Sequence, residues 1–310
     1  MIRISGLSHK LGASEVLKNV DLCVPDGSIM GLVGVNGAGK STLLRLLSGV
    51  YVADEGSIEI DGASPTKEKT RKNIFFLPDD PYFTHTTTVK SMLGMYLPHY
   101  DVDMASYKRL MEFFALDEKK PLRNFSKGMR RQAYIAIALS IRPKYLFLDE
   151  AFDGLDPLAR LKVKEELAAM ADENGSTIII SSHSLRELED FCDKYTVIDN
   201  KTVSSSGDIS DRVEQYCKFM LGFADGFTEE IFSALPVVSI KSSGKFANVI
   251  FDGVADEIEE KLHTLSPTVI EQMPIDFEEI FINEVTKEVK KCRASENILF
   301  TISDPPFCAL

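Results

Sequence analysis

Over the first 30 positions apolar residues alternate with polar ones, with Ile2, Ile4 and Leu7 and then Val20, Leu22 and Val24 falling on one face. A period of two over that length predicts half-buried antiparallel strands. The alternation gives way to Ser28-Ile29-Met30-Gly31-Leu32-Val33, read as a buried strand, and to Leu43-Leu44-Arg45-Leu46-Leu47-Ser48, read as a helix. A short strand follows between Gly56 and Gly62. From about 83 to 141 the spacing turns helical and rich in Met and Tyr, as in Val89-Lys90-Ser91-Met92-Leu93 and Leu110-Met111-Glu112-Phe113-Phe114. Tyr145-Leu146-Phe147-Leu148 and Thr177-Ile178-Ile179-Ile180-Ser181 have no polar face, which predicts strands buried on both sides of a parallel sheet. Between them, Asp156-Pro157 supplies an N-cap and a first-turn proline for a helix.

Around 204–211 the chain turns polar, and a domain boundary is placed there. Beyond it the pattern reads strand 215–223, helix 228–234, strands 236–241 and 246–251, helix 255–265, strand 267–273 and helix 276–291. Ser242-Ser243-Gly244 marks a tight turn, and the order resembles a small split βαβ sandwich. The last segment, 293–310, has no clear period and is expected to be a flexible tail. The organisation expected is therefore α/β over 1–210, with a helical subdomain at about 83–142, and a small α+β domain over 211–292.

Composition narrows the field only a little. A chain of 310 residues with net charge −12 lacks the clustered Lys and Arg of a general nucleic-acid binder. The basic stretches 67–72, Arg130-Arg131 and Lys290-Lys291 read as solvated faces or helix ends. Five cysteines, at 23, 192, 217, 292 and 308, form neither a zinc pattern nor a disulfide framework, which points to a reducing cytosol. No signal-peptide pattern and no apolar run of bilayer-spanning length is present, and Cys308 does not make a prenylation box.

The chemistry begins at 34–42. Gly34, Gly37 and Gly39, with Asn36 and Ala38 between them, let successive backbone N–H groups turn toward one anion. Lys40 supplies a point charge for the β- and γ-phosphates, and the Ser41 hydroxyl, followed by Thr42, can hold Mg2+. With a strand before and a helix after, the loop predicts a bound nucleoside triphosphate. Leu146-Phe147-Leu148-Asp149-Glu150 is an apolar strand ending in two carboxylates: Asp149 can hold Mg2+ through water, and Glu150 can polarise a water aimed at the γ-phosphate. Alone such a pair is an ordinary solvated turn; downstream of a phosphate loop it reads as catalytic. Ser126-Lys127-Gly128-Met129 opens a second helix N-terminus suited to an anion. One triphosphate needs only one such cradle from a subunit, so the second is assigned to a neighbour's nucleotide.

Taken together, 34–42, Ser126-Lys127-Gly128-Met129-Arg130-Arg131-Gln132, Leu148-Asp149-Glu150, Gly154-Leu155-Asp156-Pro157 and Ser182-His183 follow the order of an ABC ATPase domain over roughly 1–210, and the chain resembles the stand-alone ATPase subunits of bacterial ABC exporters. The resemblance implies a head-to-tail dimer, homo- or heteromeric, that buries two ATP molecules and drives export through a separate integral-membrane permease from the cytoplasmic face of the membrane. It implies that residues 36–42 cradle the phosphates, that Ser41 and Asp149 hold Mg2+, that Glu150 is general base and that His183 contacts the γ-phosphate. Ser126 and Gly128 of the opposite subunit cap the same phosphate in that arrangement, and Asp156 aligns the halves. Tyr82, Phe83, Met92, Met95 and Tyr96 are candidates for docking a permease helix, or simply core of the helical subdomain.

Two positions depart from the family pattern. Leu11 stands where an aromatic often stacks on adenine, and offers an apolar face without a π-system. Asp79, after Leu77-Pro78, replaces the switch glutamine; its carboxylate can reach Mg2+ through water. With Glu150 and His183 both present, an active hydrolase is expected rather than a nucleotide sensor without turnover. A soluble ABC ATPase of assembly or repair is the competing reading, and such proteins often carry paired ATPase domains or metal-binding inserts, which this chain lacks.

Overall fold

The computed structural model describes residues 1–280, so the stretch 281–310, including most of the helix expected at 276–291 and the tail expected at 293–310, lies outside the described residues. The chain divides between Ile209 and Ser210 into two compact units.

In the first unit, β1 (Ile2–Leu11) pairs antiparallel with β2 (Ser14–Val24) on one side and β4 (Glu55–Ile60) on the other. A second sheet of six strands runs in the order β5 (Ile74–Leu77), β6 (Tyr145–Asp149), β7 (Thr177–Ser182), β3 (Ile29–Val33), β8 (Lys194–Asp199) and β9 (Thr202–Asp208). Its first five strands are parallel and β9 is antiparallel to β8. Helix α1 (Lys40–Leu47) shares one core with both sheets: Leu43, Leu44, Leu46 and Leu47 pack with Ile2, Leu7 and Val20 and with Met30, Phe147 and Ile179. A helix apolar on several faces needs such a position, and each leucine buried there contributes about 1.5–3 kcal/mol.

The remaining helices of this unit are α2 (Glu68–Arg71), α3 (Val89–Tyr96), α4 (Met104–Phe113), α5 (Lys127–Ile141), α6 (Pro157–Asn174) and α7 (Leu185–Glu189). Their starts follow from local chemistry. Thr88 and Ser91 form a reciprocal capping box on α3, and Asp103 caps α4. Asp156 caps α6 through the Ala159 N–H, with Pro157 in the first turn and Gly175 in the left-handed conformation at the end.

Helix α8 (Ile209–Glu214) follows, and among the described residues the second unit holds a four-stranded antiparallel sheet. Its order is β11 (Val237–Ser243), β12 (Phe246–Asp252), β10 (Tyr216–Gly222) and β13 (Val269–Met273), and α9 (Ala255–His263) packs on β10 through a core of Phe219, Phe251, Ile258 and Leu262. The helix expected at 228–234 is a single 3-10 turn, Glu229–Phe232, which seats Phe232 in that core. The hairpin turn is Gly244 and Lys245, because Ser242 and Ser243 continue the strand.

The polar stretch from Ser204 is not a linker at its start. Its first residues complete β9, an edge strand whose Ser205 and Ser206 hydroxyls meet Tyr195 and Thr196 of β8 at 3.0 and 3.1 Å. An edge strand tolerates this polarity because one side of its ladder is open to water.

Candidate functional site

Parallel pairing sends β5, β6, β7 and β3 out of the sheet at the same end, where their following residues converge. β3 leads into the loop 34–42, which ends on the N-terminus of α1. Gly37 and Gly39 there have φ of 82° and 113°, which L side chains rarely adopt. Gly34 is needed for room: a Cβ on it would lie 2.5 Å from the Ile198 carbonyl oxygen. Lys40 is buried, donates to the Gly34 carbonyl at 2.5 Å and stands 3.4 Å from Glu150 Oε1.

β6 delivers the two carboxylates into different surroundings. Asp149 is 1% exposed; its Oδ1 accepts from Ser41 Oγ at 3.0 Å and from Ser181 Oγ at 2.7 Å. Its Oδ2 is buried without a hydrogen-bond partner. Glu150 turns away in the left-handed region, φ 48°, and its backbone N–H donates to Ser181 Oγ at 3.0 Å. Its Oε2 lies 3.0 Å from His183 Nδ1. One hydroxyl, Ser181, therefore holds the Asp149 carboxylate and the Glu150 backbone, and the sequence reading missed it. Its signal was the polar end of an otherwise apolar strand, where a Ser is wasted unless it is bonded.

His183 follows β7 and is largely exposed, so its imidazole meets Glu150 at the surface of the site. Ser182 accepts from the Ser184 N–H at 3.0 Å and donates to Glu187 at 2.9 Å, and Glu187 pairs with Arg160 of α6 at 3.0 Å. These bonds hold the backbone on both sides of His183.

The orphaned Asp149 oxygen beside the Ser41 hydroxyl is the donor set Mg2+ uses when it binds through one carboxylate, one hydroxyl, waters and substrate phosphates. Among the described residues there is no group of three or more His, Cys, Asp or Glu to build an all-protein cage. The residues present fit a cation that arrives with a nucleotide.

The signature segment packs against the turn that follows Glu150. Ser126 caps α5 by accepting from the Met129 N–H at 3.1 Å. Gly128 lies so close to the Gly154 carbonyl that a Cβ would approach it to 2.5 Å. Lys127 pairs with Asp153 at 2.5 Å, which holds the Asp153 carboxyl below the usual carboxylate range. Gln132 reaches Asp156 at 3.3 Å. Asp79 falls in this cluster through an ion pair with Arg131, which also donates to the Pro78 carbonyl at 3.3 Å. Read from the sequence as part of a solvated face or helix end, Arg131 lies near the start of α5 but is only 3% exposed. Leu11 ends β1 as an exposed apolar side chain, open to a flat ligand but bringing no ring.

A glycine loop on a helix N-terminus, an acidic pair at the next strand end but one and a His beyond them define a phosphate-loop nucleoside triphosphatase. Comparison with known proteins makes this narrower. The family described as ABC transporter matches residues 17–153. The chain is 30% identical over 286 residues to the ABC transporter ATP-binding protein YtrB of Bacillus subtilis (strain 168), spanning 91% of this chain and 97% of YtrB. It is 33% identical over 201 residues to the lantibiotic transport ATP-binding protein SrtF of Streptococcus pyogenes, spanning 62% of this chain and 84% of SrtF. Among solved structures, an ATP-binding subunit of an ABC transporter superposes with a TM-score of 0.63 at 30% identity, over 69% of this chain and 92% of that one. The cassette MJ0796 shares the fold, with a TM-score of 0.60 at 20% identity over 67% of this chain and 99% of that one. The chain belongs to the ATP-binding proteins of ABC transporters, and it is an ATPase.

Proposed function

We propose that this ATPase works as one half of a head-to-tail pair and powers export through a separate membrane permease. The observation that carries the reading is the presence of two anion-cradle motifs in one chain, the loop at 34–42 and the turn at Ser126 and Gly128. Among the described residues no hydrogen bond joins the turn at Ser126 and Gly128 to the loop at 34–42. In the proposed pair each turn caps the γ-phosphate held by the other subunit's loop, and Asp156, bonded to Gln132, aligns the halves.

Within one site, residues 36–42 orient the phosphates and Lys40 meets the charge that develops on the γ-phosphoryl group. Mg2+, held by Ser41 and the free oxygen of Asp149, supplies charge neutralisation at the phosphate oxygens when bound. Glu150 accepts a proton from the attacking water, and its contacts with Lys40 and His183 hold it at the site. Asp79, paired with Arg131, would be a further carboxylate able to reach this metal through water.

For the permease, a groove of about 280 Å3 on the helical subdomain is lined by Phe75, Leu77, Tyr82, Phe83, Met95 and Tyr96. Tyr82 and Met95 are exposed, whereas Met92 is core. Among the described residues no helix is long and apolar enough to cross a membrane, and in the proposed reading the permease holds the chain at the cytoplasmic face. The test is native capture of the Glu150→Gln chain from membranes with ATP present. Recovery of a multi-span protein is expected; recovery of none removes the export reading and leaves a soluble ATPase.

A further inference from the structure

The switch position of this chain poses an electrostatic problem. Asp79 lies two residues beyond β5, and β5 runs beside β6 with Leu77 opposite Leu148, so its exit neighbours Asp149 and Glu150. Four carboxylates, those of Asp79, Asp80, Asp149 and Glu150, therefore leave two adjacent strands at the sheet end where the 34–42 loop takes a triphosphate. A neutral amide at position 79 would add nothing to the repulsion of that polyanion; a bare carboxylate adds a full charge.

Arg131 answers it. It lies in the second turn of α5, is 3% exposed, and its guanidinium donates to Asp79 and to the Pro78 carbonyl. The neighbouring cations are committed elsewhere: Lys127 pairs with Asp153, and Arg130 donates to the Phe125 carbonyl at 2.9 Å with its guanidinium over the Phe83 ring. A guanidinium this deeply buried resists losing its carboxylate, because separation leaves an uncompensated charge away from water.

We propose that Arg131 is the counter-charge that makes a carboxylate at position 79 compatible with ATP binding, and that the pair is a fixed tether between the segment after β5 and the signature helix α5. Arg131 is then a positioning residue: it touches neither nucleotide nor metal, and acts by cancelling the charge of Asp79 and holding it in place. The inference rests on the reading of 34–42 as the triphosphate site.

The test is ATP binding to the full chain by titration calorimetry, in EDTA and in Mg2+, with thermal unfolding of each variant. Arg131→Gln is expected to weaken Mg2+-free ATP binding about tenfold by exposing the site to an uncancelled carboxylate. The loss shrinks in Mg2+ and in high salt. Arg131→Lys, which keeps the charge, stays within about twofold of the parent, and Asp79→Asn combined with Arg131→Gln regains most of the lost affinity. The proposal is overturned if Arg131→Gln binds ATP as the parent does, if Arg131→Lys loses as much as Arg131→Gln, or if the double variant shows no recovery. A Lys40→Ala chain that still binds ATP normally would overturn the triphosphate site itself, a failure distinct from these.

Discussion

Replacing Ser181 with Ala removes one hydroxyl and with it one bond to the Asp149 carboxylate and one to the Glu150 backbone. Ser181 Oγ donates to Asp149 at 2.7 Å in a buried bond and accepts from the Glu150 N–H at 3.0 Å in a partly buried one. A hydrogen bond to a charged acceptor is worth about 1.5–3 kcal/mol, and a buried N–H left without a partner costs about 1–3 kcal/mol. Their sum overstates the effect, since Ser41 still bonds Asp149 and the two losses share one atom. A destabilisation of about 3 kcal/mol is expected in urea unfolding of the first unit. The kinetic effect is larger in proportion, because Glu150 sits in a left-handed backbone conformation that this bond helps to fix. A displacement of 1 Å at a catalytic group costs about 100-fold, so kcat should fall by about 10- to 100-fold. KM for ATP should change little, since Ser181 makes no bond to the 34–42 loop. A Ser181→Ala enzyme within about 0.5 kcal/mol of the parent and within twofold in kcat would refute this account of how the carboxylates are held.

Two further outcomes follow from the same geometry. Glu166 of α6 is held below the usual carboxylate range, chiefly by its hydrogen bond from Arg109 of α4 and also by Lys162. Its lowered pKa stabilises the fold above the unfolded value near 4.3 and ceases to do so as pH falls through the folded one. Glu166→Gln should therefore cost about 0.5–1 kcal/mol at pH 7 after solvent screening, with the gap closing below about pH 4; a gap that widens in acid contradicts the pairing. Gly34→Ala puts a methyl group 2.5 Å from a backbone oxygen of β8 that has no rotamer to change, so it should cost about 1–3 kcal/mol in thermal unfolding and impair nucleotide binding. A variant as stable as the parent would show that the loop does not pack against β8 as described.

Much of this was legible in the chain because it is local. Strand burial, the glycine loop, the Asp156 cap and the carboxylate pair each lie within a few residues and carry their own chemistry. What escaped depends on contacts distant in sequence. Arg131 looks like half of an exposed basic pair until Asp79, 52 residues earlier, is brought against it. Ser181 looks like the fading end of an apolar strand until β6 is placed beside it. Polar composition at 204–211 suggested a boundary, and the units divide between Ile209 and Ser210; what the composition did not show is that 204–208 complete an edge strand through hydroxyl pairs across β8 and β9. In the second unit the segment after β10 forms a single 3-10 turn, Glu229–Phe232, that seats Phe232 in the core, a contact made with residues distant in sequence.

The central claim is that the loop at 34–42 is half of a site, completed by Ser126 and Gly128 of a second subunit. Sedimentation of the Glu150→Gln chain with and without MgATP tests it most directly. The account predicts a dimer that forms with MgATP, is absent without nucleotide, and is lost again when Gly128, packed against the Gly154 carbonyl, is replaced by Ala. A chain that binds MgATP at saturation and remains monomeric would contradict it.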